Sequence, residues 1–272
     1  MTLKANFHTH TTFCDGKNTP EEMVQQAILL GFTQLGFSGH MDADIHMDLP
    51  AYLTEIHRLQ GVYQDQLEIL CGIELDNLYD PACAKDAEYV IGSTHFLDLP
   101  SEIPISVDNS SQMLEKLCRE FFGGDYYRLS KAYYELEAQI ADRIPCTFIG
   151  HFDLVTRFND QTPFLEESDP RYYKPALEAM EVLVKKDLPF EINCGAVNRN
   201  RKKEFYPNSF LLKHLREMGG RILISSDAHQ KELLNGAFDQ AVEAAVSCGF
   251  THTNILTRKG NGQVHFEEIP LR

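Results

Sequence analysis

Histidine and acidic residues recur in this sequence directly after short apolar segments. The first such segment is followed by His8-Thr9-His10, with Asp15 a few residues further on. Later apolar segments end in the other members of the set, which are His40, Glu74, His95, His151, Asp227 and His229. An HxH pair in extended backbone places both imidazoles on one side, and imidazole with carboxylate is a donor set for zinc, manganese or iron. The set therefore predicts a metal centre.

Each member of this set also has a simpler interpretation when it is taken alone. A lone buried histidine such as His95 or His151 is usually a hydrogen-bonded core residue, and Asp227 could cap a following helix. Glu74 is harder to explain in this way, because a carboxylate that ends a buried strand needs a partner. Every proposed strand ends in a potential ligand or cation, with Asn193 and Arg199 after the sixth, and this joint pattern favours the metal centre over these separate explanations.

Short apolar segments alternate with longer amphipathic ones along the whole chain, and the short ones are the strand candidates. They are Leu3–Phe7, Thr33–Phe37, Leu67–Ile73, Glu88–Gly92, Cys146–Gly150, Leu188–Ile192 and Arg221–Ser225. Alternation of strands and helices predicts a parallel sheet covered by helices. In an α/β barrel the carboxyl ends of all strands open on one face, which would gather the polar residues. An open doubly wound sheet is the competing architecture, although its GxGxxG fingerprint is absent after the first strand.

Helix start and stop signals lie between the strand candidates. Thr19-Pro20-Glu21-Glu22 offers an N-cap, a proline at the first helical position and a capping-box glutamate, and Gly31 is a stop signal. Further helices are predicted from Asp169-Pro170 to Lys186 and from Pro207 to Gly219-Gly220. The helical pattern of Ser110–Arg143 is interrupted by two glycines, which predicts two helices or a kink.

Composition limits the classes of partner. The 272 residues include 25 Lys and Arg against 40 Asp and Glu, a net charge of −15, which repels nucleic acids and anionic membranes. The seven cysteines are scattered and form no CxxC pair, and no apolar run approaches a membrane span. We therefore expect a soluble, cytoplasmic protein, folded as a single domain over residues 1–272, with no nucleic-acid or membrane partner. The sequence leaves the oligomeric state open.

The motifs resemble those of the PHP (polymerase and histidinol phosphatase) family, and in particular its monofunctional histidinol-phosphatases. The matching segments, in the family's order, are Phe7–His10 with Asp15, Ser38–His40, Gly72–Glu74, Gly92–Phe96, Gly150–Asp153 and Ser226–His229. The resemblance implies an α/β fold, a distorted seven-stranded (β/α)7 TIM-like barrel with its metal site at the carboxyl ends of the strands. It also implies hydrolysis of a small phosphomonoester, L-histidinol phosphate, by metal-activated hydroxide in histidine biosynthesis.

The same resemblance implies a trinuclear site of zinc, manganese or iron. His8, His10, Glu74 and Asp227 would hold the first metal, Glu74 would bridge to a second held by His95 and His151, and Asp15, His40 and His229 would hold the third. The catalytic residues expected on this basis are Glu74, His40, His229 and Asp227. The leaving alkoxide needs a proton, for which His40, His229 and a metal-bound water are candidates.

Two arginines favour the phosphatase branch of the family. Arg157 follows His151 by six residues, and Arg199 ends a segment similar to the one that carries a phosphate-binding arginine in these enzymes. A guanidinium forms bidentate hydrogen bonds with phosphate oxygens and stays charged, so both arginines are predicted to bind the substrate phosphate. Arg157 could instead form a surface salt bridge, and the neighbouring Arg201 could replace Arg199.

Three other functions share parts of this pattern. A phosphodiesterase or exonuclease would use the same metals, but it would need a cationic groove that the net charge does not suggest. An amidohydrolase would usually place a lysine where Glu74 stands. A non-catalytic PHP module would often lack metal ligands, whereas all nine are present here.

Overall fold

The computed structural model describes residues 3–101, 104–260 and 262–271. Within them, the strands are β1 Ala5–Asn6, β2 Gln34–Met41, β3 Glu68–Asp76, β4 Tyr89–Ser93, β5 Phe148–Ile149, β6 Phe190–Asn193, β7 Ile222–Ser225, β8 His252–Arg258 and β9 Val264–Pro270. The helices are α1 Pro20–Leu29, α2 Leu49–Tyr63, α3 Ser111–Phe122, α4 Tyr126–Glu137, α5 Ile140–Arg143, α6 Pro170–Lys185, α7 Gly195–Asn198, α8 Ser209–Glu217 and α9 Phe238–Ser247. None of these helices is long and apolar enough to cross a membrane.

All strands belong to one mostly parallel sheet, in which spatial order follows chain order from β1 to β9. Neighbours from β1 to β8 pair in parallel, and only β9 runs antiparallel to its neighbour. This sequential order excludes the doubly wound alternative, whose strand order reverses within the sheet. The α/β class with a mostly parallel sheet is thus confirmed.

The number of strands was predicted wrongly. All seven candidates are present as β1–β7, but the described residues also contain β8 and β9, for nine strands in all. The pairings do not form a continuous ring; an isolated parallel bridge between Thr9 and Ala228 links the segments after β1 and β7. In that bridge the Ala228 oxygen accepts from His10 N at 2.9 Å, and the His8 oxygen accepts from Ala228 N at 3.2 Å.

Local signals set most helix ends. Thr19 and Glu22 form the predicted reciprocal capping box at the start of α1. Gly123 adopts φ +66° and ends α3, which confirms the break between α3 and α4. Helix α8 begins two residues later than predicted, because the Asn208 side chain caps it by accepting from Leu211 N at 3.0 Å.

A buried tyrosine of β4, Tyr89, forms hydrogen bonds to the backbone of the first two strand regions. The Tyr89 hydroxyl lies 2.8 Å from the backbone oxygen of Phe7 and 2.9 Å from that of Phe37. Gly36 and Gly72 make room for this ring, since a Cβ at either position would lie within 2.4 Å of a Tyr89 atom. These glycines allow β1–β4 to curve around a shared aromatic residue.

The β8–β9 hairpin is tied to the beginnings of β3 and β4. The Arg258 guanidinium donates to Glu88 and to the backbone oxygen of Ile69 at 2.9 Å, while Glu68 accepts from Arg258 N at 2.7 Å. These contacts lie at the amino ends of the parallel strands. They leave the carboxyl ends, where the sequence places its polar residues, free for a functional site.

Candidate metal centre

The structure brings the nine predicted ligand residues together beyond the carboxyl ends of the strands. They are His8, His10, Asp15, His40, Glu74, His95, His151, Asp227 and His229. His40 and Glu74 stand opposite each other in the register of β2 and β3, and the others follow β1, β4, β5 and β7. Parallel strands deliver side chains from distant parts of the chain to one edge, which explains this convergence.

Glu74 lies at the middle of the cluster and is 1% exposed. Histidine nitrogens surround its two oxygens: Oε2 lies 3.1 Å from His8 Nε2, 3.4 Å from His10 Nε2 and 3.1 Å from His40 Nδ1, whereas Oε1 lies 3.5 Å from His95 Nε2 and 2.8 Å from His151 Nε2. The two oxygens thus face different sets of histidines. A carboxylate in this position is able to share its charge between two cations.

A second carboxylate, Asp15, lies nearer the surface. Its Oδ2 is 3.0 Å from His229 Nε2, and its Oδ1 is 3.8 Å from His40 Nε2 and 3.8 Å from His10 Nδ1. Asp227 lies between the two carboxylates, with Oδ1 at 3.3 Å from His10 Nε2. The cluster therefore extends from the buried Glu74 towards the surface.

Three groups within the cluster have ligand atoms within 4.8 Å of one another and could each hold a metal ion. They are His10, Asp15, His40 and His229; His8, His10 and Asp227; and His40, Glu74 and His95. These groups overlap with the sets implied by the family resemblance but differ in detail, since His40 replaces His151 beside Glu74 and His95. The structure thus gathers the predicted residues and leaves their division among ions as a prediction.

Several of these ligand atoms are buried without a hydrogen-bond partner in the described part of the chain. They include His8 Nε2, His10 Nε2, His40 Nδ1 and Glu74 Oε2. Leaving buried polar atoms unpaired costs free energy, and such exceptions in a folded protein call for a ligand or water. A cation among these lone pairs would satisfy them, so the residues fit divalent metal ions.

Electrostatics keeps the carboxylates of the cluster ionised. Burial opposes ionisation of Glu74, but the neighbouring His8 and His40 hold its pKa well below the usual range. Asp227 behaves likewise, because Arg199 and His8 outweigh its burial and lower its pKa. Burial, together with two neighbouring histidines, lowers the pKa of His10 to about 3, so its ring is neutral and has one nitrogen available as a ligand.

The cluster opens into a cavity of about 680 Å³ that carries both signs of charge. Its wall includes the three arginines considered above and three acidic residues from nearby loops: Arg157, Arg199, Arg201, Asp42, Asp44 and Asp108. Among the predicted ligands, His40 and His229 also line the cavity. A substrate that combines an anionic group with a cationic one would find complementary charge on this wall.

The two predicted phosphate-binding arginines are held differently. Arg157 Nη1 donates to Asp108 Oδ2 at 3.0 Å, so it forms an ion pair inside the cavity. Arg199 Nη2 donates to Asp227 Oδ2 at 3.1 Å, and its Nη1 lies 3.0 Å from His229 Nδ1. The Nε atoms of both arginines are buried without a partner in the described residues. Arg199 therefore contacts ligand candidates directly, whereas Arg157 is bonded to Asp108.

Sequence reasoning missed three acidic residues that lie behind the histidines. Glu191 Oε1 is 2.7 Å from His8 Nδ1, Asp76 Oδ2 is 3.4 Å from His95 Nδ1, and Asp42 Oδ2 is 3.4 Å from His40 Nδ1. A usable signal existed for Glu191, because it is a charge inside the apolar strand β6. Asp76 shares a strand face with Glu74, which is also readable from the two-residue period.

Comparison with known proteins identifies the family of this chain. The chain belongs to the PHP domain family, whose model matches residues 6–195. It is similar to the "Probable histidinol-phosphatase" of Deinococcus radiodurans, with 30% identity over 95% of this chain and 99% of that protein. The histidinol-phosphatase of Lactococcus lactis subsp. lactis is 26% identical over 83% of this chain and 84% of its own.

A solved structure shows the same fold. It is the histidinol phosphate phosphatase of Lactococcus lactis subsp. lactis, crystallised with zinc, L-histidinol and phosphate. The TM-score is 0.72 at 22% sequence identity, and the match covers 93% of this chain and 97% of the other. Membership of the PHP family, predicted from the motifs, is thus confirmed.

Proposed function

We propose that this protein is a metal-dependent phosphomonoesterase that hydrolyses L-histidinol phosphate to L-histidinol and inorganic phosphate. The observation that carries the proposal is a single cavity in which ligand-type histidines and carboxylates lie beside arginines. Similarity to histidinol-phosphatases over nearly the whole chain supports the choice of substrate.

In this proposal the nine clustered residues hold three divalent ions of zinc, manganese or iron. Glu74 would help to hold more than one of them, because its two oxygens face different histidines. Bound divalent ions lower the pKa of water towards about 7 and thereby supply hydroxide at neutral pH. Zinc accompanies the Lactococcus lactis protein in its crystal structure, so zinc is the first ion to test.

The side chains of the cavity wall have separate tasks in this mechanism. Arg157 and Arg199 bind the phosphate oxygens and hold the ester in one orientation, with Arg201 as the alternative to Arg199. Asp42, Asp44 and Asp108 favour the substrate ammonium through their negative charge.

His40 and His229, which both line the cavity, are our candidates for protonating the leaving alkoxide. Glu74 and Asp227 keep a negative charge beside them, since neighbouring cations and histidines hold the pKa of each carboxylate low against its burial. These four residues make up the proposed catalytic set.

The barrel, the domain bounds and the cellular compartment are proposals as well. We infer that β1–β7 curve into a distorted TIM-like barrel, which the Thr9–Ala228 bridge and the reach of Tyr89 support. We also infer one PHP-type domain over residues 1–272, of which Met1, Thr2, Glu102, Ile103, Asn261 and Arg272 lie outside the described residues. A net charge of −15 supports a soluble, cytoplasmic enzyme that acts on small molecules rather than nucleic acid.

Phosphate release from several substrates tests the proposal. The purified protein, loaded with zinc or manganese, should release phosphate from L-histidinol phosphate faster than from other monoesters, and should hardly hydrolyse bis-(p-nitrophenyl) phosphate. Chelation should abolish the activity, and resupplied metal should restore it. Preference for the diester would instead identify a phosphodiesterase, and absence of any hydrolysis by the metal-loaded protein would identify a non-catalytic module.

A further inference from the structure

A fully buried carboxylate that the mechanism above does not use lies beneath the metal centre. Glu191 belongs to β6, is 0% exposed and does not line the cavity. Four groups from four strand regions surround its oxygens: His8 Nδ1 at 2.7 Å and Ser225 Oγ on Oε1, and the His151 backbone N and Asn193 Nδ2, both at 2.9 Å, on Oε2. A buried charge with this many partners has a specific task.

The hydrogen-bond directions around Glu191 are almost fully determined. The His151 backbone N–H can only donate, and the Asn193 amide is oriented because its Oδ1 accepts from Gly195 N at 2.8 Å. Asn193 therefore presents its NH2 group to Glu191 Oε2. An ionised carboxylate only accepts hydrogen bonds, so His8 Nδ1 must carry a proton to bond with Oε1.

The other nitrogen of His8 points into the metal centre. His8 Nε2 is buried without a hydrogen-bond partner in the described residues and lies 3.1 Å from Glu74 Oε2. When Nδ1 keeps its proton, the neutral form of the ring that can bind a metal has its lone pair on Nε2. A carboxylate on the far nitrogen of a ligating histidine fixes both tautomer and ring orientation.

We propose that Glu191 is a positioning residue that fixes His8 as a metal ligand through Nε2, with Nδ1 protonated. The inference rests on the metal centre of the proposed function. It gives Glu191 a role that a neutral residue of the same shape cannot fill, because every group around the carboxylate donates.

Replacement of Glu191 by glutamine makes this argument testable. The amide NH2 of Glu191→Gln must face either the His151 and Asn193 donors or His8 and Ser225. Only the second orientation avoids opposing a fixed backbone donor, since His8 can change tautomer and the Ser225 hydroxyl can rotate. In that orientation His8 Nδ1 accepts a hydrogen bond from the glutamine NH2 group. Nε2 then carries the ring hydrogen and cannot bind a metal.

Two measurements on the full chain, neither using substrate, test the proposal. Competition titration with a zinc chelator should show about 10- to 100-fold weaker zinc binding by Glu191→Gln at its weakest affected site. Long-range proton–nitrogen NMR spectra of the zinc-loaded wild type should show His8 protonated at Nδ1 and bound through Nε2. Ser225→Ala is the matched control, because it removes one neighbour of Oε1 and keeps the carboxylate; it should retain both properties.

The proposal is overturned if Glu191→Gln binds zinc as tightly as the wild type and keeps the His8 pattern. The wild-type spectrum decides the matter even if the variant fails to fold: His8 bound through Nδ1, or protonated at Nε2, contradicts the proposal. Both readouts are independent of catalysis. A protein that binds zinc as described but hydrolyses no phosphomonoester would therefore refute the proposed function and leave this inference standing.

Discussion

Replacement of Arg157 by alanine tests phosphate binding independently of metal binding. The Arg157 side chain is 20% exposed, lines the cavity and donates to Asp108 Oδ2 at 3.0 Å, while its buried Nε has no partner among the described residues. The guanidinium carries five N–H donors, and its bond to Asp108 leaves others for a phosphate oxygen. Arg157→Ala should therefore keep the metal ions and lose affinity for the phosphate group.

The size of the effect follows from the bonds that are lost. Hydrogen bonds to charged groups contribute about 1.5–3 kcal/mol, and each 1.36 kcal/mol is tenfold in rate, so kcat/KM should fall by about 10- to 150-fold. The variant also leaves Asp108 without its cation, and an unpaired carboxylate repels a phosphate. We therefore expect a loss near the upper end of this range.

A second substitution tests whether the unpaired Asp108 carboxylate contributes to the loss of kcat/KM. Asp108→Asn in the Arg157→Ala background removes the unpaired charge, so the double variant should recover part of the lost kcat/KM. The coupling between the two substitutions measures how strongly Asp108 acts on the phosphate. Additive losses would show that Asp108 has no part in the effect.

The assay is phosphate release from L-histidinol phosphate at several substrate concentrations, with elemental analysis of every preparation. Arg171→Ala is the control, because that side chain is 65% exposed and pairs with Asp169 on α6. It should leave kcat/KM unchanged. Wild-type kcat/KM for Arg157→Ala, or a loss of activity that only follows a loss of metal, would refute the assignment of Arg157 to the phosphate.

Three further predictions concern the metal centre and the sheet. Glu74→Gln should lose metal and nearly all turnover while retaining its circular dichroism spectrum, because it removes the central charge of the cluster; wild-type metal content would contradict this. Arg199→Ala should lower metal content as well as activity, unlike Arg157→Ala, because Arg199 bonds Asp227 at 3.1 Å; elemental analysis distinguishes the two variants. Gly72→Ala should destabilise the protein by about 1–3 kcal/mol in urea denaturation, since its Cβ would lie 2.3 Å from a buried tyrosine ring. Gly61→Ala, where the added methyl meets open space, should not destabilise it.

The positions of the ligand residues could be predicted because they depend on a local pattern. An apolar segment followed by histidine or a carboxylate is visible in the sequence, and parallel strands bring such ends together. Thr19-Pro20-Glu21-Glu22 likewise carries its own capping signal, and α1 begins where that signal predicts.

Contacts across the fold could not be predicted in the same way. The pairing of Glu191 with His8 joins residues 183 positions apart, and the bond from Arg157 to Asp108 depends on a loop without a periodic pattern. Both β8 and β9 were missed. Strand β8 continues the strand–helix alternation beside β7, whereas β9 departs from it because it pairs antiparallel with β8. Interpretation of the sequence thus finds the candidate ligands but not the residues that contact them from behind.

If the proposed ions bind, the junction between β1 and β7 makes metal binding depend on complete folding of β1–β7. Asn6 Nδ2 donates to Ser226 Oγ at 2.6 Å across 220 residues of sequence, and the Thr9–Ala228 bridge lies beside it. During synthesis, seven of the nine proposed ligands emerge well before Asp227 and His229. Ions that contact residues from both β1 and β7 regions stabilise only the state in which these two regions have met. Metal starvation would therefore weaken this seam of the protein at the same time as it stops the chemistry.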